Sequence, residues 1–230
     1  MEPRKIKHPL RTVYQRLLNT YGLQYWWPAE GPFEVMVGAI LTQSVAWKNA
    51  EKAINNLKEA DVLSPMAIRS IPVSVLAKTI RPCVYFNTKA LKLKALVDWL
   101  GNQYSDDINK LLIVDINTLR TQLLSIQGIG PETADSILLY AFGKPTFVID
   151  SYTRRIIDRI GLAPQENSYE DYQRLFSDNL VVDVNLYNEY HALLVKLAKD
   201  TCLKKPLCRR CALRIICWFG KNNTDYNSDI

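Results

Sequence analysis

The stretch Leu123-Leu124-Ser125-Ile126-Gln127-Gly128-Ile129-Gly130-Pro131-Glu132-Thr133-Ala134-Asp135 reads as a helix end, a tight turn and a new helix start. Gly128 and Gly130 permit backbone angles closed to other residues, and Pro131 suits the first turn of a following helix. Ile126 and Ile129 stand where they can anchor the turn in a core. Such a turn presents backbone N–H groups beside a helix N-terminus, where phosphate binds well. Gly-x-Gly alone also fits an ordinary interhelical turn. The proline and the flanking apolar helices favour the phosphate-gripping form, a helix-hairpin-helix element that holds a DNA backbone without reading bases.

Outward from the hairpin the chain is helical almost throughout. Apolar residues recur at helical spacing in Val13-Leu17-Leu18-Tyr21, Ala50-Ala53-Ile54-Leu57, Leu76-Ala77-Ile80, Leu93-Leu96-Val97-Leu100, Leu119-Leu123-Leu124 and Leu186-Tyr190-Leu193-Leu194-Leu197. Phe33 to Leu41 is apolar nearly all round, which predicts a central buried helix. Ser64-Pro65 and Ile71-Pro72 put proline near a first turn. Asp115, Ser168 and Asp183 are expected N-caps, with Asp171 completing a capping box on Ser168. Only Thr146 to Ile149 looks extended, and it is too short to build a sheet. The fold class is therefore all-α.

The 230 residues suffice for one large domain or two lobes, and the 48% apolar and 23% charged content is that of a globular protein. The net charge of +6 suits an anionic partner without requiring one. No apolar run approaches the roughly 20 residues that cross a bilayer. Met1 to His8 is basic with no apolar core after it, so no secretory leader is expected and the cytoplasm is the default compartment. The tail after Gly220, rich in Asn and Asp, is expected to fray.

Two further features carry chemistry. Twenty residues beyond Gly130, a short apolar stretch delivers Asp150 to the start of a helix. The carboxylate is expected to cap that helix, with the helix N-terminus and Arg154 or Arg155 favouring its charge. Near an anomeric carbon, a carboxylate stabilises an oxocarbenium-like transition state and orients or deprotonates water. Near the C-terminus Cys202, Cys208, Cys211 and Cys217 lie within sixteen residues, among Lys204, Lys205, Arg209, Arg210 and Arg214. In a reducing compartment that cluster reads as a metal or iron–sulfur ligand set. Cys83 stands alone and reads as buried packing.

Hairpin, following aspartate and terminal cysteines occur in the order found in the endonuclease III superfamily of DNA glycosylases, which the chain resembles from about Gly31 to Phe219. The resemblance implies that Gly128 and Gly130 bind phosphate, that Asp150 is the catalytic aspartate, and that the four cysteines hold a [4Fe–4S] cluster. It implies a six-helix barrel with the hairpin over residues 30–142. A second lobe of residues 1–29 and 143–230 would carry Asp150 and the cluster loop, with damaged double-stranded DNA across the cleft. A monomer is expected.

The sequence departs from that family twice. Bifunctional members carry a Schiff-base lysine two residues after the last hairpin glycine. Here Glu132 stands there, and a carboxylate cannot form an imine, so lyase activity is not expected. Cys202 and Cys208 enclose five residues rather than the usual six. Trp26-Trp27-Pro28, Gly31-Pro32-Phe33-Glu34, Gly38-Ala39-Ile40-Leu41-Thr42-Gln43 with Trp47, and Arg81-Pro82 followed by Tyr85-Phe86-Asn87-Thr88-Lys89-Ala90 look like the 3-methyladenine DNA glycosylase III branch. That branch is monofunctional and acts on alkylated purines, so the expectation is hydrolysis of the glycosidic bond of such a base. Gln43 would fill the gap left by the flipped nucleotide, while Trp26, Trp47 and Glu132 would line the base pocket. Lys204, Lys205, Arg209 and Arg210 would contact phosphates. Two alternatives are a glycosylase for oxidised pyrimidines or mismatched uracil or thymine, and a non-catalytic DNA-binding protein with a structural metal site. His8 and His191 are expected to take no part.

Overall fold

A computed structural model describes residues 9–223, so Met1 to His8 and residues 224–230 lie outside the described residues. Among the described residues there are helices and no strands. The chain divides into two compact units, Trp27–Lys144 and the described parts of Met1–Trp26 with Pro145–Ile230.

In the first unit α2 (Pro32–Leu41) buries every residue after its initial proline, as its all-round apolar character predicts. Around it stand α3 (Trp47–Glu59), α4 (Pro65–Ser70), α5 (Val73–Thr79), α6 (Phe86–Tyr104), α7 (Asn109–Leu112), α8 (Ile116–Ser125) and α9 (Pro131–Ser136). The starts follow the sequence. Ser64 accepts from the Ala67 amide with Pro65 at the first helical position, and Asp115 accepts from the Asn117 and Thr118 amides. Pro72 is itself the residue that precedes α5. Lys89 is buried, and its Nζ donates to the Leu41 carbonyl at 2.7 Å, satisfying one of the acceptors left open at the end of α2. Burial pushes the Lys89 ammonium pKa down, with the charge of Lys92 adding to the effect.

The hairpin joins α8 to α9. Ile126 and Ile129 are both buried in the α2 core, each contributing about 1.5–3 kcal/mol by removal from water. Asp135, fully buried on α9, accepts two hydrogen bonds from Arg120 on α8, at 2.8 and 3.1 Å. This bidentate pair ties together the two helices that the turn connects. Directly after Ser136 the helix widens into a π turn, Ile137–Ala141, which no sequence pattern announced.

In the other unit α1 (Pro9–Tyr21) and α10 (Ser151–Ile160) pack on α12 (Val184–Asp200), with α11 (Tyr169–Ser177) and α13 (Trp218–Asn222) completing it. Thr146 to Ile149 is buried without joining a sheet. Phe147 stacks on Phe176 at 3.8 Å between centroids and meets Tyr187 and Tyr190 edge-on. That aromatic cluster fixes the strip of chain ending at Asp150. Ser168 and Asp171 form the expected capping box, and Asp183 caps α12 through the Leu186 amide. The expected fraying after Gly220 is corrected in part, because α13 runs on to Asn222 with Cys217 capping its start.

Candidate functional site

The hairpin turn leaves its glycine backbone exposed. Gly128 has φ +87°, where a side chain is strained, and a Cβ there would lie 2.5 Å from the Lys92 stem. Both hairpin glycines are exposed. Among the described residues neither glycine amide donates to a protein acceptor. Gln43 reaches this turn: its Nε2 donates to the Gly128 carbonyl at 3.2 Å and to Thr133 Oγ1 at 2.9 Å. Lys92 Nζ donates to Gln43 Oε1 at 2.5 Å. The structure thus brings Gln43, Gly128 and Lys92 together; Lys92 is a participant the sequence did not single out.

Trp47 meets Trp27 edge-on at 5.3 Å between centroids, and Trp27 lies 5.3 Å from Tyr140. The three rings form one aromatic group within the Trp27–Lys144 unit. Gly38 seats the indole, since a Cβ there would sit 3.0 Å from Trp27 Cζ2. Tyr140 belongs to the π turn, which explains why helical periodicity did not flag it. Trp26 falls in the other unit, beside a cavity of about 440 Å³ lined by Tyr14, Tyr25, Asp183 and Glu189. Glu132 is exposed on the first turn of α9. Lys144 donates to the Leu112 carbonyl.

Asp150 caps α10, its Oδ1 accepting from the Thr153 amide at 2.7 Å. Its side chain is mostly buried, with 15% of its surface exposed. The expected arginine neighbours are corrected. Arg154 bonds Asn167 and lies over the Tyr172 ring, while Arg155 bonds the Cys202 and Ala198 carbonyls. The group facing Asp150 is His191, whose Nε2 lies 3.7 Å from Oδ2. His191 was expected to face its own helix neighbours, and the structure instead brings its ring to Asp150 at the start of α10. The available signal was a histidine on the buried stripe of α12, where Tyr187, Tyr190 and Leu194 also lie.

Cys202, Cys208, Cys211 and Cys217 are unpaired thiols lining one small cavity, together with Arg159, Thr201, Pro206, Arg214, Phe219 and Gly220. Among the described residues no group of three or more His, Cys, Asp or Glu side chains is arranged to hold a metal ion. Arg159 Nη1 donates to Cys202 Sγ at 3.2 Å and to the Leu203 carbonyl at 2.6 Å. The Gly220 amide donates to Cys217 Sγ at 3.4 Å. Burial pushes the thiol pKa values of Cys208, Cys211 and Cys217 up. A cationic iron centre supplies the opposing charge that lets buried sulfur ionise, so the donor chemistry fits such a group. Lys204, Lys205, Arg209, Arg210 and Arg214 are exposed around this loop. Cys83 is buried in the other unit, as expected of packing.

A family model for the HhH-GPD superfamily base excision DNA repair protein matches residues 37–182. The chain belongs to this superfamily. It is 44% identical over 207 residues to the "Putative DNA repair glycosylase MJ1434" of Methanocaldococcus jannaschii, covering 89% of this chain and 94% of that one. It is 29% identical over 192 residues to Endonuclease III of Sulfolobus acidocaldarius, covering 83% of each. In fold it matches a non-covalent Endonuclease III–DNA complex with a TM-score of 0.81, at 20% identity over 94% of this chain and 96% of that one. It also matches the H. pylori 3-methyladenine DNA glycosylase bound to 1,N6-ethenoadenine, with a TM-score of 0.68, at 28% identity over 83% and 94%. No helix among the described residues is long and apolar enough to cross a membrane.

Proposed function

We propose that the protein is a monofunctional DNA N-glycosylase that hydrolyses the bond between deoxyribose and an alkylated purine, such as 3-methyladenine. The observation that carries this reading is the setting of Asp150, fixed at the mouth of α10 through one oxygen and keeping a small exposed surface. The target nucleotide must leave the stack before its anomeric carbon is reachable. As the glycosidic bond breaks, positive charge grows on the sugar, and the Asp150 carboxylate stabilises it. Water then adds to the anomeric carbon, its proton passing toward the same carboxylate. An N-alkylated purine is cationic and leaves readily, so no strong general acid is needed on the base. Its electron-poor ring stacks well on indole, which suits the group formed by Trp47, Trp27 and Tyr140. Glu132 at the position of the family's lysine supports hydrolysis without strand cleavage.

Gly128 and Gly130 would grip the backbone of damaged double-stranded DNA, and Gln43 would enter the gap left by the flipped nucleotide. Lys204, Lys205, Arg209 and Arg210 would bind phosphates. Cys202, Cys208, Cys211 and Cys217 would hold a [4Fe–4S] cluster, which ties the loop together and takes no part in hydrolysis. The protein would act as a monomer in the cytoplasm, on nucleoid DNA.

The likeness to 3-methyladenine glycosylase favours the alkylated purine, whereas the likeness to Endonuclease III favours an oxidised pyrimidine. A panel of duplexes decides between them. Free methylated purine, with strand breaks only after alkali, is the expected result. Release of oxidised pyrimidines alone would replace the substrate class, and breaks without alkali would remove the role given to Glu132.

A further inference from the structure

We infer that His191 is a positioning residue for Asp150, addressing Oδ2 from α12 while the Thr153 amide holds Oδ1. This inference rests on the catalytic reading of Asp150. The two oxygens are then served from different elements, one by backbone and one by a ring, which fixes the carboxylate plane as well as its place. The Nε2–Oδ2 separation is 3.7 Å, longer than the 2.7–3.2 Å of a hydrogen bond. Contacts of this kind tighten when substrate closes a site. The imidazole has little freedom of its own. His191 is buried, and Phe147, from the strip that delivers Asp150, meets its ring edge-on at 6.4 Å.

The charge on His191 decides what it does to Asp150. Burial pushes the His191 pKa below 6.5, and the Asp150 carboxylate opposes this without reversing it. At neutral pH the ring is therefore uncharged and can donate Nε2–H without cancelling the carboxylate. The packed elements carry further titratable groups: Tyr187, Glu189, Tyr190, Lys196, Lys199 and Asp200 on α12, Arg11, Tyr14, Arg16 and Tyr21 on α1, and Tyr152, Arg154, Arg155, Asp158 and Arg159 on α10. Lys199 feels the same carboxylate, Tyr14 lies against Tyr190, and Arg154 and Arg155 are engaged elsewhere. On acidification His191 gains a proton, pairs with Asp150 as a cation, and offsets the charge the sugar needs.

Single-turnover base release from a duplex carrying one N-methylated purine tests this, using the full chain, its Asp150→Asn variant and two His191 variants. His191→Leu should release base about tenfold to a hundredfold more slowly, the scale of a misplaced reacting group, with duplex binding unchanged. His191→Gln keeps a donor that cannot gain charge. It should retain most of the rate at neutral pH and lose the fall in rate expected of the unaltered protein as acidification protonates His191. That second readout holds even if the leucine variant folds poorly, and a purely structural histidine would not produce it. Coincident acid limbs for the glutamine variant and the unaltered protein would overturn the inference. Abolished release in Asp150→Asn, beside unchanged rates in both His191 variants, would overturn the inference alone. Full release by Asp150→Asn would overturn the catalytic reading beneath it.

Discussion

The turn at Gly128 to Gly130 is held by hydrocarbon, whereas the loop from Cys202 to Cys217 is held by polar contacts and four thiols. Ile126 and Ile129 are each 5% exposed and sit in the α2 core. The cysteine loop buries Leu213 but leaves Leu207 and Ile215 exposed at 42% and 62%. Its order comes from Arg159 bridging Cys202 Sγ and the Leu203 and Lys204 carbonyls, and from short turns around each cysteine. The difference teaches that the first element can shape itself from its own side chains. The second has less apolar burial and relies on its polar contacts, which is where the proposed cluster would add order.

Two substitutions can break that contrast. Replacing Cys211 and Cys217 together by serine should cost the most, about 3 kcal/mol or more, since the loop would lose two ligands of the proposed cluster. For a chain of this size that is a fall in melting temperature of about 6–12 °C, read with loss of any iron and of its visible absorbance. A melting temperature equal to that of the unaltered protein would mean the loop orders itself as the hairpin does. Gly128→Ala should cost less, about 1–3 kcal/mol, through strain at φ +87° and the displaced Lys92 stem. On the proposed backbone-gripping role of the turn, it should also weaken duplex binding evenly across sequences. Loss of binding to one sequence alone would contradict the backbone role.

The same contrast explains what was legible. The hairpin, the caps at Asp115, Ser168 and Asp183, and the buried α2 all follow from local chemistry within a few residues, and sequence displays such chemistry directly. Asp150 was legible for the same reason, as an N-cap at the end of an apolar strip. His191 was not, because its meeting with Asp150 joins residues 41 positions apart on α12 and α10, and spacing does not reveal which helix faces touch. The arginines next in sequence to Asp150 were the natural expectation, and both turn elsewhere. Tyr140 was hidden by the π turn, which shifts the helical register on which periodicity depends. Trp26 and Trp27 are adjacent in sequence but belong to different units, so only the structure separates Trp27, beside Trp47, from its neighbour.

The most direct test of the central claim is base release by Asp150→Asn on a duplex with one N-methylated purine, measured beside duplex binding. Asparagine can still accept the Thr153 amide hydrogen bond, so the cap and the fold should persist. The expected result is unchanged binding with base release slowed by about a hundredfold or more. Release at the unaltered rate would show that the sugar cation is stabilised by some other group.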